Sequence, residues 1–209
     1  MLLPFDDATR RKIASCCAGF ARRGDDVSAP ALKRAAVAIA LAPDHETGAT
    51  TLLLTLRAAV LRSHGGQWAL PGGRCDAGET PVAAALRELA EELGLIASPE
   101  AVLGLLDDYP TRSGYLITPV ILWAANGRTL RPNPDEVASV HRIGLDTILA
   151  DDAFDFTVIP ESTRRVVRFH AREGLIHAPT AALIYQFREV LAGRETRVHE
   201  LEQPVFAWK

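Results

Sequence analysis

Cysteine is scarce: the 209 residues include only Cys16, Cys17 and Cys75. They form neither a CxxC pair nor an even set, which argues against a disulfide framework and against a thiolate zinc site. No apolar run approaches the ~20 residues that cross a bilayer. Met1-Leu2-Leu3-Pro4-Phe5 leads straight into Asp6-Asp7, without the positive start and long apolar core of a signal peptide. Excess charge is also lacking. A net charge of −3 supplies no general attraction to nucleic acid, so Arg22-Arg23 and Arg164-Arg165 read as helix-face charges. The remaining histidines, His45, His141, His170, His177 and His199, lack a zinc-ligand spacing such as HExxH and read as surface or hydrogen-bonded core residues. A cytoplasmic protein is expected, with no membrane partner and no nucleic-acid partner.

What remains is ordinary globular composition, 48% hydrophobic and 23% charged, in a chain long enough for one substantial core. Residues 7–23 have the periodicity of an amphipathic helix, with Asp6 or Asp7 as cap and Gly24 as stop. Ala35–Ala42 and Thr50–Arg57 read as strands joined by a turn-rich link, and Arg62 to Gly73 as mostly loop. Further strands are expected at Val102–Asp107, Tyr115–Ala125 and Val137–Ile143, and a short helix at Asp146–Leu149. Pro160 and Pro179 suggest helices over Glu161–Arg172 and Thr180–Leu191. The segment from Thr196 reads as extended or loosely ordered. The organisation expected is an N-terminal helical extension (1–30), one α/β domain (31–195) and a C-terminal tail (196–209).

The clearest helix is Thr80–Leu93, with Thr80 to cap it, Pro81 at its first position and Gly94 to end it. At 100° per residue, Glu88, Glu91 and Glu92 share one face, while Val82, Leu86, Leu89 and Leu93 form an apolar stripe on the other side. Like charges three and four residues apart repel, so the trio needs solvation or a counter-charge. Magnesium suits such a site, because it takes carboxylate oxygens together with waters and phosphates. Pro71-Gly72-Gly73 and Asp76-Ala77-Gly78 add tight turns ahead of the helix, where backbone can approach a ligand closely.

Gly73, Glu79 and Arg87-Glu88-Leu89-Ala90-Glu91-Glu92-Leu93-Gly94-Leu95 resemble the signature of the Nudix hydrolases, with every position filled. Seven of these positions demand one residue type, so chance agreement lies below about one in a million. The resemblance implies an α/β/α sandwich with a mixed central sheet and extra N- and C-terminal helices. It also implies Mg²⁺- or Mn²⁺-dependent hydrolysis of a small-molecule diphosphate, in an enzyme of a family whose members are often homodimers. Carried over by position, Glu88, Glu91 and Glu92 would hold metal, helped by the Gly73 carbonyl. Arg87 and Glu79 would form an orienting ion pair. Glu92 or Glu136, the latter in Asn133-Pro134-Asp135-Glu136-Val137, would be the general base.

Upstream, Arg57, Leu61, Arg62, His64, Gly66 and Gln67 match the additional motif of the coenzyme A diphosphatase branch. That likeness implies coenzyme A or a derivative as substrate, giving 3′,5′-ADP and (acyl-)phosphopantetheine. Arg57, Arg62 and His64 are then candidate phosphate contacts. Trp68 and Leu70 depart from the branch pattern. So does Ile176-His177-Ala178-Pro179-Thr180-Ala181, where the branch has Ile-Trp-Gly before a Thr-Ala pair. NADH, a nucleotide sugar or a dinucleoside polyphosphate are the alternative substrates, and a non-catalytic nucleotide-binding regulator is the alternative function.

Overall fold

The computed structural model describes residues 3–24, 32–59, 65–172 and 174–207. The first helix, α1 (Asp7–Gly19), begins where Asp6 accepts a hydrogen bond from the Thr9 backbone N–H at 2.8 Å. It buries Ile13 and Cys17 and stops at Phe20, short of the glycine expected to end it.

The strands β1 (Lys33–Pro43) and β2 (Thr50–Arg57) form an antiparallel pair. In the link between them, Asp44 accepts hydrogen bonds from the N–H groups of Glu46 and Thr47, the local side-chain bonding that makes Asp a turn former. The Gly-rich stretch expected as loop contains two short strands, β3 (Trp68–Ala69) and β4 (Gly72–Arg74). They are too brief to show a period in sequence, and pairing with β2 and β1 decides them. Next come α2 (Pro81–Leu93), β5 (Val102–Leu105), β6 (Tyr109–Pro110), β7 (Tyr115–Trp123), β8 (Val137–Gly144) and α3 (Leu145–Leu149).

The main sheet runs β3-β2-β1-β7-β5, with β4 also on β1, β6 on β7 and β8 on β2. It is mixed, since β1 pairs β7 in parallel and β2 antiparallel. Strand alternation on β1 divides the core in two. Ala36, Ala38, Ala40 and Ala42 face α2, whereas Ile39 and Leu41 join the layer containing α1 and the C-terminal helix. The small alanine side chains let α2 lie close to the sheet. Its buried residues are Ala84, Ala85, Leu89, Glu92 and Leu93.

That packing corrects one expectation. Glu92 belongs to the buried arc of α2, not to a solvent face opposite the apolar stripe, and only Glu91 of the trio is exposed. Helical periodicity groups the three acids, but it cannot say which edge of the group the sheet will cover.

A second correction concerns Glu161–Arg172. This stretch is a strand, β10 (Ser162–Ala171), in a three-stranded antiparallel sheet with β9 (Phe154–Ile159) and β11 (Gly174–His177). Pro160-Glu161 is the turn between β9 and β10, not a helix start. The β-branched and aromatic run of Val166, Val167 and Phe169 finds a buried face there. Arg164 and Arg165 therefore sit on a strand, where Arg165 lies over the Phe156 ring at 4.6 Å. The last helix, α4 (Thr180–Leu191), forms where expected.

The tail is also more ordered than its sequence suggests. Val198 is buried, the Tyr109 hydroxyl donates to the Leu201 carbonyl at 2.9 Å, and Glu202 meets Arg112 through both carboxylate oxygens. Asp107 joins several layers, accepting from the Arg23 backbone N–H, the Gln186 amide and the Arg197 guanidinium. Among the described residues no helix is long and apolar enough to cross a membrane.

Candidate active site

One corner of the molecule is built by the end of β2, by β4, by α2 and by the loop before β8. Thr80 caps α2, accepting from the Ala83 N–H at 3.2 Å, and Gly94 closes it in the left-handed conformation at φ 62°. These caps fix the phase of the helix, and thus where each acid projects.

Arg87 is the organising cation. Its Nε and Nη2 meet the two oxygens of Glu79 at 3.0 and 3.1 Å, and Nη1 donates to Glu88 at 2.8 Å and to Glu91 at 2.9 Å. Nη2 also donates to the Arg74 carbonyl, tying α2 to the end of β4. Only a planar fork with several donors can hold that many acceptors at once. Glu79 is anchored from its other side by the Asp76 N–H at 2.9 Å, and the Arg87 guanidinium holds its carboxyl below the usual carboxylate range.

The glycines are needed for close approach. A Cβ on Gly73 would lie 2.2 Å from Glu88 Oε1, and one on Gly72, at φ 156°, would lie 2.3 Å from the Ala36 carbonyl oxygen. The Glu88 carboxyl therefore occupies the space that a side chain at position 73 would fill.

Glu92 is only 3% exposed. Burial pushes its carboxyl up to about 8, with Arg57 opposing and Glu88 and Glu136 adding to the rise. The Arg57 guanidinium stands 3.8 Å from Glu92 Oε1, too far for a hydrogen bond, and its buried Nε has no hydrogen-bond partner among the described residues. Burial raises Glu88 as well, against the pull of Arg87. Glu136 is half-buried, accepts from the Asn133 side-chain amide at 3.3 Å and adds its charge to the field at both Glu88 and Glu92.

The structure therefore brings Gly73, Glu79, Arg87, Glu88, Glu91, Glu92, Arg57 and Glu136 into one region. Arg62 and His64, the other candidate phosphate contacts, lie outside the described residues. Sequence reasoning overlooked Asn133, whose N–H also donates to the Glu92 carbonyl at 2.9 Å and so docks the Glu136 loop on the end of α2. The Asn-Pro pair marks a turn, but nothing in it shows what the turn grips. It overlooked the alanine stripe of β1 too, because small residues carry a weak strand signal.

The chemistry available is that of hard oxygen donors carrying more negative charge than Arg57 and Arg87 neutralise. Among the described residues no group of three or more His, Cys, Asp or Glu side chains is already arranged to hold a metal ion. The residues nevertheless suit Mg²⁺, which keeps several waters and usually takes one or two carboxylates plus substrate phosphate.

A family model described as the NUDIX domain matches residues 32–161, most of the chain. The chain belongs to the Nudix family. It is 36% identical over 142 residues to the Nudix hydrolase NudL of Photorhabdus laumondii, spanning 66% of this chain and 76% of that one. Nudix hydrolase 3 of Caenorhabditis elegans is 38% identical over 106 residues, covering 49% of this chain and 44% of that protein. Among solved structures, the Nudix hydrolase RenU of M. smegmatis superposes with a TM-score of 0.50 at 28% identity, over 77% of this chain and 86% of that one. A MutT/nudix family protein of Enterococcus faecalis has a TM-score of 0.53 at 18% identity over 78% of this chain and 61% of its own, a likeness of fold. The protein is a Nudix hydrolase with the family's mixed sheet between helical layers.

Proposed function

We propose that this Nudix hydrolase cleaves the diphosphate bond of a nucleotide derivative, coenzyme A or one of its derivatives, with the help of Mg²⁺ or Mn²⁺. The observation that carries the reading is the uncompensated acidity of the corner: Glu88 and Glu92 are both pushed toward protonation by burial. Carboxylates in that state gain from a divalent cation, which replaces the lost water and neutralises their repulsion.

Glu88 and Glu92, with Glu91 and the Gly73 carbonyl, are the residues that would hold the ion. When bound, it neutralises phosphate charge, stabilises the leaving oxygen and acidifies water. Arg87 keeps Glu79, Glu88 and Glu91 in place, and its bidentate grip limits rotation of the Glu79 carboxyl. Arg57, whose guanidinium lies near Glu92, is suited to a phosphate oxygen. Glu92 or Glu136 would act as general base, with Asn133 orienting the Glu136 carboxyl. The match at Arg57, Gly66 and Gln67 supports the coenzyme A assignment. The altered Ile176–Ala181 segment favours, as a second reading, another diphosphate such as NADH or a nucleotide sugar.

The test is a panel of diphosphates incubated with Mg²⁺ or Mn²⁺, with and without EDTA, and analysed by mass spectrometry. Coenzyme A is expected to give 3′,5′-ADP and phosphopantetheine, and EDTA to stop the reaction. Intact coenzyme A beside hydrolysed NADH or ADP-ribose would establish the second reading. Binding with no turnover of any member would make the protein a non-catalytic regulator.

A further inference from the structure

Away from the catalytic corner, a second cleft of 760 Å³ opens between β8 and the loop that precedes it, where His45, Arg128, Leu130, Pro132, Val140 and Arg142 are among its lining residues. That volume falls in the range of small-molecule sites. In strand register Arg142 sits opposite Leu53, whereas Arg57 of the catalytic corner sits opposite Val137. The stretch of β2 from Leu53 to Arg57 therefore separates the two places by roughly 13 Å.

The walls of this cleft are fastened before anything binds. Arg142 donates to the Pro43 carbonyl at 2.9 Å and to the Gly127 carbonyl, holding the near end of the loop against the end of β1. The Arg131 N–H donates to the Leu93 carbonyl at 2.8 Å and the Asn133 N–H to the Glu92 carbonyl at 2.9 Å, holding the far end on α2. A cleft framed in this way needs little ordering to receive a ligand, which lowers the entropic cost of binding.

Its charge is one-sided. Arg128 and His45 are exposed, Arg142 is half-buried, and none of the lining residues is an acid. Carbonyls, and no carboxylate among the described residues, accept from Arg142. Burial pushes its guanidinium below the usual arginine range, offset in part by the charge of Asp44. Asp44 is itself turned to the N–H groups of Glu46 and Thr47. Leu130, Pro132 and Val140 supply an apolar wall. Two guanidiniums and an imidazole suit more than one negative charge, which favours a phosphate over a lone carboxylate, and the arginine fork matches phosphate oxygens.

We propose that this cleft is a second ligand site, separate from the catalytic corner, and that it takes a phosphate-bearing small molecule. Arg128 and His45 receive the phosphate, Arg142 supplies a fixed charge behind it, and the apolar wall takes the rest of the molecule. Which diphosphate the catalytic corner cleaves does not bear on this site.

The test is amide-detected NMR of the full-length protein in EDTA, titrated with inorganic pyrophosphate, ADP and adenosine. Without metal the catalytic corner is dominated by Glu88, Glu91 and Glu92 and repels phosphate, so anion binding reports on the cleft. Pyrophosphate and ADP are expected to shift the amides of Arg128, Thr129 and Leu130, and adenosine to bind about tenfold more weakly than ADP or worse. Arg128→Glu, at an exposed position where the fold should tolerate it, weakens pyrophosphate binding about tenfold or more. Arg57→Gln leaves that binding within about twofold, because it lies away from the cleft. Pyrophosphate that leaves the amides of residues 128–130 unmoved overturns the proposal. So does binding that survives Arg128→Glu and is lost in Arg57→Gln, which would put the anion in the catalytic corner. Adenosine binding as tightly as ADP would remove the phosphate from the recognition and overturn it too. A protein that shows these shifts yet cleaves no diphosphate would sink the proposed activity and leave the second site standing.

Discussion

Glu92 and Glu202 are each 3% exposed, yet their carboxyls are driven in opposite directions. Glu202 receives both arms of the Arg112 guanidinium, at 3.0 and 2.5 Å, and a further bond from the Gln203 N–H. Those donors hold its carboxyl down to about 2. Glu92 has Arg57 at 3.8 Å and acidic neighbours in Glu88 and Glu136, and it is pushed up to about 8. Desolvation penalises both charges, more strongly at Glu92, and the quality of the partner widens the difference. A fully paired buried glutamate is a fastener. One left short of positive charge is, on the proposed function, where a divalent cation would bind.

The contrast can be broken most severely at Glu92. In Glu92→Gln, kcat should fall by several orders of magnitude, measured by product release under saturating Mg²⁺. The same variant should be at least as stable as the parent in EDTA. A carboxyl whose folded pKa is raised to about 8 favours the fold while it stays protonated. Metal-free stability therefore declines as pH climbs from the unfolded value near 4.3 toward about 8. Thermal melts of parent and variant across that window should diverge with rising pH. A parent melting curve independent of pH there would show that Glu92 is not short of charge.

Arg87→Lys comes next. A lysine cannot serve Glu79, Glu88 and Glu91 together, so a loss of about a hundredfold in kcat is expected with the fold retained, as judged by circular dichroism. Gly73→Ala should displace the Glu88 carboxyl, because the new Cβ would meet it at 2.2 Å. The expected cost is about 1–3 kcal/mol of stability in denaturant titration, together with weakened divalent-ion dependence of turnover.

The smallest effect on chemistry belongs to Glu202→Gln, which should leave kcat within about twofold. Its signature lies in acid. The depressed pKa of Glu202 contributes stability above its unfolded value near 4.3, lost as pH falls toward about 2. Arg112 is half exposed, so the contribution is discounted to roughly 1–2 kcal/mol. The variant should be weaker at neutral pH and show a flatter acid limb.

Much of this architecture is legible in the order of the residues. Thr80, Pro81 and Gly94 state the limits of α2 because caps and left-handed stops are local demands of the backbone. The strands from Lys33 to Arg57 and from Tyr115 to Trp123 follow from unbroken apolar runs. The misread segment after Pro160 shows the limit of local signals. A proline opens a helix or forms a turn with equal ease, and the choice came from partner strands at Phe154–Ile159 and Gly174–His177.

The site divides along the same line. Spacing alone grouped Glu88, Glu91 and Glu92 on one side of a helix and set Arg87 within reach of Glu91, since such relations depend only on 3.6 residues per turn. Burying Glu92 while leaving Glu91 exposed required the sheet, because the small side chains of Ala36, Ala38 and Ala40 set how closely α2 lies. Placing Arg57 and Glu136 near that helix required the chain to fold back from distant positions. Contacts of that kind are settled by packing and by the satisfaction of buried polar groups, which are properties of the assembled fold.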